Sequence, residues 1–315
     1  TESTLDGWFK KTVELLKPLY EELKWEVFSC DYVQADETTV PVINREKHRA
    51  DKEYLWMVRS VMEKLVIFHY DGGSRAGAVI ESLANHYHFK GYLQCDGFAG
   101  YETAFKTNPD VRLLNCLVHI RRHFEQALDE NREMAQHALT QIQHIYKIER
   151  QCDEAGLSYD ERRQTRQELS RPIMEAMKVW METEGIKYSP GSLTGKAITY
   201  AYTKWDNIMR CLDDGRLYWD NNLAENVQRP ITLSRKNFLF CGNHEAAVNM
   251  SVICSLLATC KAHGVNPRVY LNDVIAQMPY HKKATQEELL NLLPHKWKLK
   301  HPECVLTRQK EESCN

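Results

Sequence analysis

The apolar residues change from a helical to a strand pattern near residue 30. Between residues 4 and 29 they recur at spacings of three and four, which predicts an amphipathic helix. They are Leu5, Trp8, Phe9, Val13, Leu16, Leu19 and Tyr20. Residues 32–40, 54–59 and 65–70 instead show the short, partly alternating runs of strands. Because the connections between them are short, including the charged one at 44–52, we expect an antiparallel meander.

One helix and two further strands follow the meander. Asp71 and two glycines end the third strand, and Ser74 can cap a helix that runs to about residue 87. Residues 91–96 and 111–116 predict a fourth and a fifth strand. This order of strands and helices is typical of an α/β protein with a mixed sheet.

The rest of the chain is mostly helical in pattern. Residues 119–184 are rich in charged residues, with apolar residues at spacings of three and four, which favours helices packed on a core. Further helices are expected at 193–212, 246–262 and 267–278. A polar tail follows, with one short helix near residues 287–293.

Composition narrows the range of functions. The chain has 315 residues, 43% of them hydrophobic, which is ample for a large core. Its net charge of −2 excludes a generic polyanion binder, so any nucleic-acid surface must be a local patch or lie outside this sequence. The ten cysteines form no CxxC pair, which is typical of reduced intracellular thiols. Without a bilayer-spanning apolar run or a signal peptide, a soluble cytoplasmic protein is expected.

The stretch 219–242 combines a helix start with charged residues. Residues 220–222 are all good N-caps, so helical turns are expected at 223–228, before Pro230 intervenes. Glu225 then lies in the first turn, where the helix dipole keeps a carboxylate ionised. Such a carboxylate suits a hard metal cation, and the basic residues that follow suit phosphate. A capped helix followed by a solvated basic strand explains the same local pattern.

Three acidic residues occupy positions from which they could converge. Asp36 lies in the first strand, Asp96 at the end of the fourth, and Glu225 at the start of the late helix. Neighbouring strands can present two carboxylates side by side, and a helix packed across the sheet can add a third. Two Mg²⁺ or Mn²⁺ ions, about 3.5–4 Å apart, would neutralise them and activate a hydroxyl against a phosphodiester. Glu37 points to the opposite face of its strand and Asp220 is interpreted as a helix cap, so neither is chosen.

Five ordered motifs resemble those of the insertion-sequence-66 family of bacterial transposases. They are Gln34-Ala35-Asp36-Glu37-Thr38; Tyr54-Leu55-Trp56; Gln94-Cys95-Asp96-Gly97-Phe98-Ala99-Gly100-Tyr101; Cys116-x-x-His119-x-Arg121-Arg122-x-Phe124; and Asp220-Asn221-Asn222-x-Ala224-Glu225 with Arg229-Pro230 and Arg235-Lys236-Asn237 after it. The run 189–197 is similar to the family as well. The resemblance covers roughly residues 5–295.

The resemblance implies an α/β fold with a ribonuclease-H-like mixed sheet, a helical insertion and a helical C-terminal extension. It also implies a DDE triad, in which Asp36, Asp96 and Glu225 bind two Mg²⁺ or Mn²⁺ ions. The chemistry would be metal-dependent cleavage at transposon ends and strand transfer by the freed 3′-hydroxyl. The expected partners are double-stranded DNA, as transposon ends and as target, and further copies of the chain on that DNA. The expected location is the bacterial cytoplasm, at the nucleoid.

On this basis the chain divides into five predicted parts. They are a helical N-terminal linker (1–30), the first part of the catalytic core (31–125), the helical insertion (126–215), the completion of the core with the third acidic residue (216–265), and a C-terminal helical extension and tail (266–315).

Six basic residues are expected to contact DNA phosphate. They are His119, Arg121, Arg122, Arg229, Arg235 and Lys236. For the first three, which the resemblance puts near the acidic site, a solvated helix face is the alternative.

Two other roles were considered for residues near these motifs. Cys116, His119 and His123 could supply three zinc ligands, but a structural zinc site needs four and no fourth is obvious. Tyr101, Trp56 and Trp219 could stack on bases, although core packing suits Trp56 better.

The sequence departs from the family pattern in three places. Family members usually carry an N-terminal DNA-binding portion ahead of this region, which this sequence does not contain. Asn226 stands where Arg is common, and Asn243 where Ser usually follows Gly242. Two rival functions therefore stay open: an inactive or domesticated relative that binds DNA or protein, and a stand-alone metal-dependent nuclease without strand transfer.

Overall fold

The computed structural model describes residues 2–281 and 283–306, with the side chains of all of these except 2, 3 and 234–236. The strands form one five-stranded sheet in the order β3-β2-β1-β4-β5. Their bounds are β1 (Tyr32–Asn44), β2 (Arg49–Ser60), β3 (Val66–His69), β4 (Gly91–Cys95) and β5 (Val111–Asn115).

The helices fall before, between and after these strands. They are α1 (Glu2–Ser29), α2 (Gly77–His86), α3 (Ala99–Phe105), α4 (Leu117–Ala127), α5 (Arg132–Glu154), α6 (Tyr159–Thr165), α7 (Arg171–Gly185), α8 (Leu193–Met209), α9 (Asn222–Phe238), α10 (His244–Ala262), α11 (Pro267–Gln277), α12 (Gln286–Leu292) and α13 (Pro294–Lys300). A π-helical turn joins α6 to α7, and short 3-10 turns follow α8, α11 and α13. The predicted fold class is confirmed: a ribonuclease-H-like mixed α/β fold with a helical insertion and a helical C-terminal extension.

The first three strands form the predicted antiparallel meander. The register of β1 with β2 runs from Val33 opposite Ser60 to Asn44 opposite Arg49. The prediction of a charged connection over residues 44–52 was wrong, because both strands continue into it and leave a turn of only four residues, 45–48. Asp51 stabilises this end of the hairpin, since its carboxylate accepts hydrogen bonds from Asn44 Nδ2 (2.8 Å) and Arg49 Nε (2.9 Å).

Contacts within the chain define two compact units. The first comprises Thr1–Gly91, Thr103–Val111 and Asn222–Asn315, and the second comprises Tyr92–Glu102 and Arg112–Asn221. The five predicted parts of the chain stay a prediction.

The core of the first unit lies between the meander and two late helices. One buried cluster joins Val40 of β1, Met57 of β2 and Phe68 of β3 to Ala224 of α9 and Ala247 of α10. Packing of α9 onto β1 and β2 is what brings its first turn to the meander.

Helix α10 also satisfies the backbone of β3, which is an edge strand. Ser255 Oγ accepts a hydrogen bond from the amide of Phe68 (2.8 Å), and Thr259 Oγ1 accepts one from the amide of Val66 (3.1 Å). Because these groups are buried, they would be costly to leave unbonded. The edge is therefore closed to further strand pairing at these two amides.

The second unit contains a buried ion-pair network. Arg166, which is 2% exposed, donates from Nε and Nη2 to the two oxygens of Glu149, each at 2.8 Å. Its Nη1 donates to the carbonyl oxygens of Cys211 (2.8 Å) and Asp214 (3.0 Å). The guanidinium thereby ties α5 to the segment that follows α8.

Three predicted helix boundaries were wrong. Ser74 does not cap α2, which begins at Gly77; its Oγ instead accepts from the amide of Ala76 (3.1 Å). Helix α9 continues past Pro230 to Phe238, so the stretch after Pro230 is not a basic strand. Asp220 is not the cap of α9, because the helix begins at Asn222 and Asn221 therefore occupies the residue before it.

Two further expectations from composition can be compared with the structure. In the described part of the chain, nine cysteines are all free thiols, as expected for reduced cysteines. Among the described residues, we find no helix whose length and apolar character would allow it to cross a membrane.

Candidate catalytic carboxylates

Strand β1 presents Asp36 and Glu37 in opposite directions, because side chains alternate along a strand. The side chain of Glu37 is 2% exposed, and its carboxylate binds Arg75, with Nε at 2.8 Å and Nη2 at 2.7 Å. Asp36 lies on the other face, together with Gln34, and is partly exposed. The exclusion of Glu37 from the candidate site therefore agrees with its ion pair.

The first turn of α9 is bound to the face of β1 that carries Asp36. The buried side chain of Gln34 accepts a hydrogen bond from the amide of Ala224 through Oε1 (3.1 Å). Arg59 Nη1 on β2 donates to the carbonyl oxygen of Leu223 at 3.4 Å. Glu225 directly follows Ala224 and is partly exposed. Two of the three predicted carboxylates therefore lie on either side of one hydrogen bond, between Gln34 and Ala224.

Gln34 satisfies a helix-start amide with a neutral acceptor. The first N–H groups of a helix have no partner within the helix. Gln34 accepts from one of these groups, that of Ala224, without adding charge beside Glu225. Gln34 belongs to the first sequence motif, but no role was predicted for it, although its spacing of two from Asp36 places both on one strand face.

Asp96 belongs to the second unit and directly follows β4. Its Oδ1 accepts a hydrogen bond from the amide of Phe98 at 2.8 Å, which makes a tight turn of the kind that aspartate forms with its own backbone. Its carbonyl oxygen accepts from Asn115 Nδ2, also at 2.8 Å. Both the backbone and the carboxylate of Asp96 are thus held by groups of the second unit.

Helix α8 supplies a neighbour of Asp96 that the sequence analysis missed. A Cβ atom added to Gly97 would lie 2.0 Å from the hydroxyl of Tyr200, so this hydroxyl lies directly against the turn. The ring of Tyr200 packs on His123, with ring centroids 4.1 Å apart. Burial, and then the negative charge of Asp96, raise the pKa of Tyr200 well above its usual value, so the phenol stays protonated. In the sequence, only the position of Tyr200 in the helical pattern of α8 could have indicated this contact.

The predicted DNA contacts lie in different settings. Arg121 forms an exposed ion pair with Glu125 at 2.8 Å, whereas Arg122 and Arg229 are exposed residues of α4 and α9. His119 is partly buried on α4. The side chains of Arg235 and Lys236 lie outside the described residues. These contacts with DNA stay a prediction.

The zinc alternative gains no support from the described residues. Nowhere in residues 2–281 and 283–306 do three His, Cys, Asp or Glu side chains group closely enough to hold a metal ion. Burial raises the pKa of Cys116 to about 12, which disfavours the thiolate that zinc requires. His123, for its part, packs against Tyr200.

The aromatic residues considered for base stacking are buried. Trp56 and Tyr101 have no exposed surface, and Trp219 is 3% exposed. Trp56 Nε1 donates to the carbonyl oxygen of Ser74 at 2.9 Å, as expected of a core tryptophan with a satisfied N–H. Stacking on DNA by these three rings is therefore not available in this conformation.

Each of the three predicted acids offers a ligand that a hard divalent cation prefers, although in the described part of the chain no three such side chains group closely enough to hold an ion. Asp36, Asp96 and Glu225 offer only carboxylate oxygens, the ligands that Mg²⁺ and Mn²⁺ prefer. The nearby acids Glu37 and Asp220 have other partners, since Arg75 binds Glu37 and Tyr146 Oη donates to Asp220 Oδ2 at 3.3 Å.

Comparison with known proteins identifies the family. The family model described as Transposase IS66 family matches residues 1–249, and the model described as IS66 C-terminal element matches residues 255–295. The chain belongs to the IS66 transposase family.

Three curated proteins of Sinorhizobium fredii (strain NBRC 101917 / NGR234) are similar to this IS66 family member. "Uncharacterized protein y4hP" is 28% identical over 318 residues, covering 94% of this chain and 56% of that protein. "Uncharacterized protein y4jD" is 29% identical, covering 94% and 59%, and "Uncharacterized protein y4qI" is 30% identical, covering 87% and 53%. The chain thus spans a little over half the length of these relatives.

The two substitutions that depart from the family pattern, Asn243 and Asn226, have different structural consequences. Asn243 caps α10, because its Oδ1 accepts from the amide of Ala246 at 2.7 Å. Asparagine and serine are both good caps, so this position retains its local role. Asn226 is exposed on the first turns of α9, where an arginine would present a cation to solvent or to DNA.

Proposed function

We propose that this chain is the catalytic portion of a DNA transposase, which hydrolyses phosphodiesters at transposon ends and joins the freed 3′-hydroxyl to target DNA. Membership of the IS66 transposase family supports the reaction class. Asp36, Asp96 and Glu225 would be the catalytic carboxylates and would hold two Mg²⁺ or Mn²⁺ ions. When bound, the ions would activate the attacking hydroxyl and stabilise the leaving oxygen.

The observation that supports the carboxylate assignment best is the hydrogen bond between Gln34 and Ala224. It brings the start of α9 to the face of β1 that carries Asp36, so Asp36 and Glu225 come from one rigid contact within the first unit. Asp96 is also held rigidly, through Phe98 and Asn115. Rigid carboxylates suit a reaction in which charge must be stabilised at fixed points.

The other residues of the proposal bind and orient the DNA. His119, Arg121, Arg122, Arg229, Arg235 and Lys236 would contact phosphates, which positions the duplex without reading its sequence. Recognition of a particular end sequence, and assembly of several copies on paired ends, would draw on parts of a longer protein such as the relatives, of which this chain spans 53% to 59%.

The proposal is tested by cleavage and joining assays on DNA that carries the transposon ends, with Mn²⁺. Asp36→Asn, Asp96→Asn and Glu225→Gln should each lower cleavage by more than about a hundredfold, because a neutral amide is a poor ligand for these cations. Asp110→Asn is the matched control, since Asp110 is an exposed acid that pairs with Lys90. Circular dichroism should show an unchanged fold in all four variants.

Each contrary result has a distinct meaning. Cleavage that persists in one of the three variants removes that residue from the triad. Cleavage without joined products in the parent would favour a stand-alone nuclease. DNA binding without cleavage, together with no effect of the three substitutions, would favour a domesticated binding protein.

A further inference from the structure

One face of α8 contacts the segment that carries Asp96. The segment runs from Asp96, at the end of β4, to Glu102 in α3. Tyr200, Lys204 and Asn207 follow one another at spacings of four and three, so they lie on one face of the helix. All of these residues belong to the second unit.

Asn207 reaches the backbone of Asp96 through one intermediate residue. Its Nδ2 donates to Asn115 Oδ1 at 2.9 Å, and Asn115 Nδ2 donates to the carbonyl oxygen of Asp96 at 2.8 Å. Asn115 is only 3% exposed, so its amide cannot readily exchange these bonds for water. The two bonds run in one direction, from α8 to Asp96, which fixes the orientation of both amides.

Tyr200 acts on the next residue. Its hydroxyl occupies the position beside Gly97 where any larger residue would place a Cβ atom, 2.0 Å away. Packing of its ring on His123 fixes the direction of this hydroxyl. Because the turn is closed by the bond from the Phe98 amide to Asp96 Oδ1, a shift at Gly97 would move the carboxylate.

Lys204 holds the far end of the segment. Its Nζ pairs with Glu102 Oε1, and its side chain is 8% exposed while that of Glu102 is 41% exposed. A buried ammonium is costly without such a partner, so the pair stabilises the position of α3 against α8. The segment is therefore held at its first, second and last residues.

We infer that Tyr200, Lys204 and Asn207 are positioning residues, which hold the Asp96 carboxylate in a single orientation for a divalent cation. The inference rests on the proposed function only where it names the divalent cation. An apolar helix face would be enough to bury the segment. The directional hydrogen bonds add what burial does not, since the bond from Asn115 fixes the carbonyl oxygen of Asp96 and the bond from the Phe98 amide fixes Oδ1.

The test uses two measurements on the same variants of the full chain. The first is hydrogen exchange at the Phe98 amide without metal, which reports the bond to Asp96 Oδ1. The second is the Mn²⁺ concentration that gives half-maximal cleavage. Asn207→Asp is the sharpest change, because it keeps the size of the side chain but removes the donor that Asn115 requires. Tyr200→Phe removes only the hydroxyl at Gly97.

Both variants should exchange the Phe98 amide faster, and both should need about tenfold more Mn²⁺, as is usual when a residue behind a metal ligand is lost. High Mn²⁺ should restore the rate at a temperature where circular dichroism shows both variants to be fully folded without metal, so that rescue does not reflect stabilisation of the fold. Tyr202→Phe is the matched control, since Tyr202 is on the same helix but donates to Glu182 at 3.1 Å. It should change neither measurement.

Unchanged exchange of the Phe98 amide in both Asn207→Asp and Tyr200→Phe would overturn the inference. Slower cleavage by these variants with an unchanged Mn²⁺ requirement would overturn it as well. Failure of the proposed function gives a different result. In that case Asp96→Asn would cleave as well as the parent, while the Phe98 measurement would still report on the positioning of Asp96.

Discussion

At the scale of single residues, the neutral side chain of Gln34 joins two elements of the first unit by accepting a hydrogen bond from the start of α9. Gln34 has no exposed surface, and its acceptor satisfies the amide of Ala224. A carboxylate at this position would also accept from the amide, but it would place a further acid beside Asp36 and Glu225. The glutamine therefore joins β1 to α9 without changing the charge at the candidate site.

Substitution of Gln34 by Ala should destabilise the chain by about 1–3 kcal/mol, because it leaves the buried amide of Ala224 without its acceptor. Urea denaturation followed by circular dichroism measures the change. Gln136→Ala is the control: Gln136 is exposed on α5, and its removal should change the free energy of unfolding by less than about 0.5 kcal/mol. Equal effects in the two variants would contradict the role given to Gln34.

Addition of one methyl group at Gly97 should also be destabilising, by about 1–3 kcal/mol, because the new Cβ would overlap the hydroxyl of Tyr200. The same change at Gly7 meets nothing within 4 Å and lies in α1, where it should stabilise the helix by about 0.5–1 kcal/mol. Thermal unfolding measures whether the midpoint falls in Gly97→Ala and rises in Gly7→Ala. A stable Gly97→Ala variant would mean that Tyr200 does not lie against the turn.

At the scale of elements, α9 contains a proline that does not end it. A proline inside a helix removes one hydrogen bond and pushes on the preceding turn. Helix α9 nevertheless continues to Phe238, because Ala224 and Ile231, on either side of Pro230, are both buried in the core cluster of the first unit. Tertiary packing thus outweighs a local preference against helix.

Replacing this proline should therefore stabilise the chain. Pro230→Ala restores a donor for the carbonyl oxygen of Asn226 and should raise the free energy of unfolding by up to about 3 kcal/mol. Chemical denaturation measures it, with Pro267→Ala as the comparison, since Pro267 is the first residue of α11, where proline is well tolerated. A loss of stability in Pro230→Ala would show that α9 requires the proline.

The contact between α10 and α13 contains two histidines that are held neutral. Burial is the main cause that lowers the pKa of both His263 and His295 to about 4, with Lys298 contributing to His263 and the neighbouring His263 ring to His295; the two rings lie 5.8 Å apart. Glu63 acts the other way on His263, through a backbone hydrogen bond.

Acidification should accordingly destabilise this contact. The unfolded chain takes up protons at these histidines below about pH 6.5, whereas the folded chain does so only near pH 4, so stability falls as the pH decreases between these values. The loss should appear as a lower midpoint of thermal unfolding at pH 5 than at pH 7. His263→Gln should show a weaker dependence on pH between 7 and 5. An identical pH profile would exclude His263 as a cause.

At the scale of the whole molecule, both units bring together distant parts of the chain. The chain leaves the first unit after Gly91 and after Val111, and returns to it at Thr103 and at Asn222. The helical insertion lies in the second unit, which also contains the segment with Asp96. Asp36 and Glu225, which are far apart along the chain, belong together to the first unit.

The net charge bears on DNA binding by the molecule as a whole. With a net charge of −2, the chain should bind random duplex DNA weakly, with a Kd near 10⁻⁴ M at physiological salt, at the weak end of non-specific binding. Fluorescence anisotropy with a labelled random duplex, at several salt concentrations, tests this. A Kd below about 10⁻⁶ M, with a steep dependence on salt, would reveal a strong basic surface that the net charge conceals.

The amino-acid sequence by itself determined the order and type of nearly all elements, since helical and strand periods are local properties of which side chains must be buried. It also indicated the family through its ordered motifs. Two boundaries were missed: the ends of the β1–β2 hairpin, which cross-strand bonds of Asp51 stabilise, and the continuation of α9 past Pro230, which depends on packing in the core.

Only the tertiary structure decided which polar groups meet. The bond from Ala224 to Gln34 joins residues 190 positions apart, and that from Asn207 to Asn115 joins residues 92 apart. No local pattern encodes such a pair, because each side chain alone is an ordinary polar residue of a helix or strand. Its role arises when packing removes water and leaves a single partner within reach.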